Sequence, residues 1–134
     1  MTIQAKIKTA LLIDDDDVDQ MIYKRIIDRS GLIEQVTSFS YAEDALAYLR
    51  IVDRPDIDVI FLDINMPRMT GLEFLDAAEK EFGDNFAKIV VIMLTTSLDP
   101  RDRARAESHA SVKAYLDKPL TVENIKDVAA LLAV

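Results

Sequence analysis

Apolar residues fall along this chain in two alternating kinds of run. Ala10–Ile13, Val59–Leu62 and Ile89–Leu94 are uninterrupted, too short for helices and bounded by polar residues. Such runs read as strands buried on both faces. Elsewhere apolar residues recur every three or four positions, the spacing of a helix with one buried face. Val18, Met21, Ile22 and Ile26 give the stripe of a first helix that closes near Ser30-Gly31. Glu34 to Phe39, with β-branched Val36 and Thr37, reads as a weaker second strand. Ala42, Ala45, Leu46 and Leu49 mark a second helix, ended before Pro55, and Leu72, Leu75, Ala78 and Phe82 mark a third. Asp99-Pro100 opens a fourth helix as N-cap and first helical residue. That helix offers mainly Ala104 and Ala106 to a core, so shallow anchoring is expected. Val112–Leu116 is a short fifth strand, and Thr121 caps a last helix on Ile125, Val128, Ala129 and Leu132.

Strict alternation of strands and helices with short connections implies an α/β fold with an open parallel sheet, helices on both faces and right-handed crossovers. No internal repeat, linker or low-complexity tract breaks the pattern, so residues 1–134 read as a single domain. Composition narrows the function. A net charge of −8 argues against nucleic acid or an anionic membrane as direct partner. The absence of cysteine removes disulfide and thiolate chemistry. The apolar run Ile89–Leu94 is far short of a membrane span, and no signal peptide is visible. The expectation is a soluble cytoplasmic protein.

The chemistry gathers around Phe61-Leu62-Asp63-Ile64-Asn65-Met66-Pro67-Arg68-Met69-Thr70-Gly71. Asp63 sits where a buried strand opens into a loop, Pro67 breaks the backbone, and Gly71 supplies a flexible or close-packing position. In such a sheet the strand C-termini share one edge, which is where open α/β sheets bind ligands. That edge collects Asp14 and Asp15 after the first strand, Asp63 after the third, Thr95 after the fourth and Lys118 after the fifth. Carboxylates and carbonyls are hard ligands suited to Mg²⁺. A metal, an ammonium and a hydroxyl around one aspartate are the parts needed for phosphoryl transfer. Asp16 and Asp17 are read as acids favouring the positive start of the first helix, and His109 as a surface residue of the fourth.

Leu12-Ile13-Asp14-Asp15, Leu62-Asp63-Ile64-Asn65-Met66-Pro67 with Gly71, Leu94-Thr95-Thr96-Ser97 and Tyr115-Leu116-Asp117-Lys118-Pro119 together resemble the receiver domain of bacterial two-component response regulators, of the stand-alone type. The resemblance covers essentially the whole chain, with the motifs in the family's order and spacing. It implies a flavodoxin-like (βα)₅ doubly wound five-stranded parallel sheet, and phosphorylation of Asp63 by the phosphohistidine of a sensor histidine kinase or histidine phosphotransfer protein. It further implies that Asp15, Asp63 and the backbone carbonyl of Asn65 hold Mg²⁺, with Asp14 acting chiefly through a metal-bound water. Thr95 would bond one phosphoryl oxygen and Lys118 neutralise another. Tyr115 matches the switch aromatic that turns inward as Thr95 moves, and the Lys118–Pro119 bond is commonly cis in the family. The kinase would dock beside the first helix and the loop after the fifth strand.

Two features depart from the family's usual pattern or leave it open. Thr96 stands where the family often has a small residue, which would partly restrict Tyr115. Asn65 and Ser97 flank the site where the family tunes hydrolysis, so the phosphate lifetime is open. No output domain follows the fifth strand, so the signal is expected to leave by protein contact or by passing the phosphate on. Two other readings use the same residues: a small Mg²⁺-dependent phosphohydrolase with Asp63 as nucleophile, and a receiver-like binding module that is not phosphorylated. The domain is otherwise expected to catalyse only its own phosphorylation and dephosphorylation.

Overall fold

In the computed structural model, which describes residues 7–133, strands β1 (Ile7–Ile13), β2 (Ile33–Phe39), β3 (Val59–Leu62), β4 (Val90–Thr95) and β5 (Val112–Asp117) form one parallel sheet. Their order is β2-β1-β3-β4-β5, the flavodoxin-like arrangement expected. The helices are α1 (Asp17–Ser30), α2 (Ala42–Leu49), α3 (Gly71–Phe82), α4 (Asp84–Ala87), α5 (Pro100–Glu107) and α6 (Val122–Ala133).

The uninterrupted apolar strands are explained by two cores, one on each face of the sheet. Leu11, Ile13, Ile60, Leu62, Val91 and Met93 point to one face, where α2, α3 and α5 cover them with Leu46, Phe74, Leu75 and Ala106 among others. Ala10, Leu12, Val59, Phe61, Ile92 and Leu94 point to the other, under α1 and α6 with Tyr23, Ile27, Ile125 and Val128. Residues of the three central strands thus alternate between cores rather than between core and water.

The structure corrects the sequence reading in four places. In α1 the buried side chains are Gln20, Tyr23 and Ile27, while Val18, Met21 and Ile22 are exposed. Ile26 is half-buried against the core beneath α1. Apolar residues spread around more than half of this helix's circumference, so periodicity alone gives two overlapping stripes; the Tyr23–Ile27 face is the one that packs. The short helix α4 had no counterpart in the sequence pattern. Its one core residue is Phe86, 6.1 Å ring to ring from Phe74 in an edge contact. In α5 Ala106 is buried but Ala104 is exposed.

The fourth correction is His109, whose side chain is only 9% exposed. Its ring nitrogens lie 2.8 Å from Glu79 Oε1 and 3.1 Å from Asp76 Oδ1 of α3. The thin apolar contact of α5 is therefore supplemented by polar ones. Arg105 also pairs with Asp76, and at the other end of the helix Ser97 Oγ donates to Asp102 Oδ2 at 2.6 Å. The expected caps are present. Asp99 accepts from the Arg101 amide ahead of Pro100, and Thr121 accepts from the Asn124 amide at the start of α6.

Candidate functional site

Sheet register brings the expected side chains together. Ile13 pairs with Leu62, so Asp14 and Asp63 leave neighbouring strands at the same level, joined by the Asp63 amide donating to the Ile13 carbonyl at 3.0 Å. Thr95 pairs with Asp117, and the Lys118 amide donates to the Thr95 carbonyl at 3.1 Å. One carboxylate oxygen each from Asp14, Asp15 and Asp63 lies within 4.8 Å of the others. Asp14 and Asp63 are buried and Asp15 is exposed, so the group opens to solvent on one side. Asp16 is the N-cap of α1, accepting from the Val18 and Asp19 amides, and Asp17 is in the first turn, as expected for acids at a helix start.

The counter-charge is Lys118, on a cis peptide bond to Pro119. Its Nζ donates to Asp14 Oδ2 at 2.7 Å, Asp19 Oδ2 at 2.8 Å and Asp63 Oδ2 at 3.4 Å. Burial pushes the carboxyls of Asp14 and Asp63 above the ordinary aspartate range, more than the nearby ammonium pulls them down. Burial also acts against the ammonium form of Lys118, but its bonds to Asp14 and Asp19 and the charge of Asp63 outweigh it and raise the pKa. The site is an acid-rich pocket held together by a single lysine.

The response regulator receiver domain family matches residues 10–130 of the chain. The chain belongs to that family. Among curated relatives, the probable chemotaxis protein CheY of Rhizobium etli is 32% identical over 136 residues, spanning 100% of this chain and 96% of the relative. The probable methanogenesis regulatory protein FilR2 of Methanothrix harundinacea is 31% identical across 87% of this chain and 75% of its own length. The crystal structure of a two-component response regulator from Cytophaga hutchinsonii superposes with a TM-score of 0.85 at 33% identity, covering 96% of this chain and 98% of that one. As a receiver domain, the protein is a phosphoacceptor signalling switch of the two-component type. Among its described residues no helix is long and apolar enough to cross a membrane.

The receiver-domain site has a rigid floor. A Cβ on Gly71 would stand 2.2 Å from the Asp63 carbonyl oxygen, so glycine is required here for close approach. The Gly71 amide donates to the Ile64 carbonyl at 2.9 Å, and Thr70 and Glu73 form a reciprocal capping box that fixes the start of α3. Gly71→Ala should therefore cost about 1–3 kcal/mol by forcing the loop apart. Denaturant melts of the two proteins read the effect, and equal stability would refute it.

Two residues beside the site escaped sequence reasoning. Gln20 is buried, and its Nε2 donates to the carbonyls of Asp14 at 2.7 Å and Phe39 at 2.9 Å, tying α1 to the ends of β1 and β2. Asp19 is the third partner of Lys118. Their places in α1, one turn past the paired acids, were the available signal. A polar residue at 20 adds nothing to an apolar stripe, so hydrophobic periodicity does not mark it.

Thr95 is fully buried; its hydroxyl accepts from the Ser97 amide at 3.2 Å and lies where it favours the Asp63 carboxylate. Tyr115 packs against the core beneath α3 and α5 with the Arg103 guanidinium 5.1 Å from its ring centre. Among the described residues its buried hydroxyl has no hydrogen-bond partner, and burial pushes its pKa up. Thr96 is exposed, and the Tyr115 ring is half-buried. The Asn65 amide donates to Asp63 Oδ1 at 3.4 Å.

Proposed function

We propose that Asp63 receives the phosphoryl group, from the phosphohistidine of a histidine kinase or histidine phosphotransfer protein in the cytoplasm. The observation that carries the choice among the three clustered acids is that Asp63 alone faces both the Lys118 ammonium and the Thr95 hydroxyl. An Asp63 carboxylate oxygen attacks phosphorus, forming a P–O bond as the P–N bond breaks and its electron pair leaves with the imidazole nitrogen. Lys118 neutralises one phosphoryl oxygen and Thr95 donates its hydroxyl to another, so charge is met at fixed positions. Asp15, Asp63 and the Asn65 carbonyl would hold Mg²⁺ directly, with Asp14 reaching it through water; the hard oxygen donors and the spacing of the acids fit that ion. When bound, Mg²⁺ supplies charge neutralisation and in-line orientation of the transferring group.

The same reading takes the chain as one receiver domain over residues 1–134 whose output is a protein contact or onward transfer of the phosphate. The test is intact-mass analysis after incubation with acetyl phosphate and Mg²⁺. A gain of one phosphate in the wild type, absent in Asp63→Asn, is expected. No gain in the wild type, or an unchanged gain in Asp63→Asn, overturns the assignment of Asp63.

A further inference from the structure

An ammonium has three N–H donors, and those of Lys118 all point at carboxylates. Two of these acids belong to the cluster that one cation can bridge. Asp19 does not. It lies in the first turn of α1 with its side chain 28% exposed, and the capping duty there belongs to Asp16. Among the described residues, the only side-chain bond to its carboxylate is the one from Lys118, at 2.8 Å.

We propose that Asp19 is a positioning residue that keeps the Lys118 ammonium in place while its other two partners change. This rests on the reading of Asp63 as phosphoacceptor. A cation held by Asp63, and through water by Asp14, would compete with Lys118 for both carboxylates and weaken their bonds to it. A lysine stem is flexible, so an ammonium left with two weakened bonds would swing into solvent. The Asp19 bond lies outside that competition and survives it. On phosphorylation Lys118 then gives up only its longest contact, the 3.4 Å bond to Asp63, in exchange for a phosphoryl oxygen. Asp19 thereby stores in the resting protein the lysine geometry that the transferred group needs.

The ammonium of Lys118 can be followed directly by ¹H–¹⁵N NMR in unphosphorylated protein. In the wild type its resonance should be resolved by slow solvent exchange and should persist when Mg²⁺ is added. In Asp19→Asn it should broaden away on Mg²⁺ addition, and phosphorylation by acetyl phosphate should slow about tenfold from misplacement of the charge. Asp19→Glu should restore the resonance at least in part. Asp17→Asn removes the same charge from the same exposed turn and should leave the resonance and the rate unchanged. A Lys118 signal that survives Mg²⁺ in Asp19→Asn, or one lost equally in Asp17→Asn, overturns the proposal. Failure of the wild type to accept phosphate would instead strike the Asp63 assignment, leaving the metal-dependent NMR result to judge Asp19.

Discussion

Lys118→Ala should destabilise the metal-free protein by about 3–5 kcal/mol, because it strands buried carboxylates without a counter-charge. Asp14 and Asp63 are almost fully buried, and Asp19 loses its partner as well. The loss should depend on pH with a definite sign. Both buried carboxyls already titrate above the ordinary aspartate value of 3.8, chiefly because burial disfavours their charged form. The folded protein therefore holds protons that the unfolded chain releases, and stability falls as pH rises through the raised values. Without the ammonium that window moves further up. The variant's deficit should be larger at about pH 8 than at about pH 5. Mg²⁺ should then recover part of the deficit by mass action, about 2.7 kcal/mol at a concentration of 100 Kd. Urea titrations at the two pH values, with and without Mg²⁺, measure all three quantities. A deficit that is independent of pH would show that Lys118 does not compensate these acids.

The second large effect separates two faces of one helix. Ile27→Ala should cost about 2–5 kcal/mol, as for a fully packed aliphatic side chain. Met21→Ala and Ile22→Ala should stay within about 0.5 kcal/mol. Ile27 is 2% exposed, whereas Met21 is 49% and Ile22 is 42% exposed. Equilibrium unfolding of the three variants decides it, and comparable losses would mean that α1 buries the other stripe.

That pair of faces shows where a sequence is informative and where it stops. The strands were legible because each central one is buried on both sides, leaving apolar runs that nothing but a covered parallel sheet explains. Even so, β1 starts at Ile7, three residues before the continuous run, because Lys8 at that edge can face solvent. Helices with a single apolar face, such as α3 and α6, were equally plain. The face of α1 was not. Its orientation is set by a polar residue, Gln20, reaching two backbone carbonyls on different strands, and no periodicity of apolar residues encodes that bond.

The site divides in the same way. Asp14, Asp15, Asp63, Thr95 and Lys118 stand at strand ends, and a parallel sheet delivers all strand ends to one rim. Their meeting thus follows from topology. Asp19 reaches the same rim from a helix, and His109 reaches α3 from the turn after α5, both by side-chain geometry that depends on helix rotation. Histidine on a polar helix reads as solvated when its own element is considered alone. The two carboxylates that enclose it come from residues Asp76 and Glu79, about thirty positions earlier.

The seating of α5 carries a thermodynamic consequence. One alanine methyl and a handful of polar pairs hold it, so sliding it along the sheet would trade hydrogen-bond partners while wetting almost no hydrocarbon. Heat capacity changes track newly hydrated apolar area. A rearrangement confined to this helix would therefore be nearly silent in calorimetric curvature, with a balance tuned by ionic strength far more than by cooling or heating.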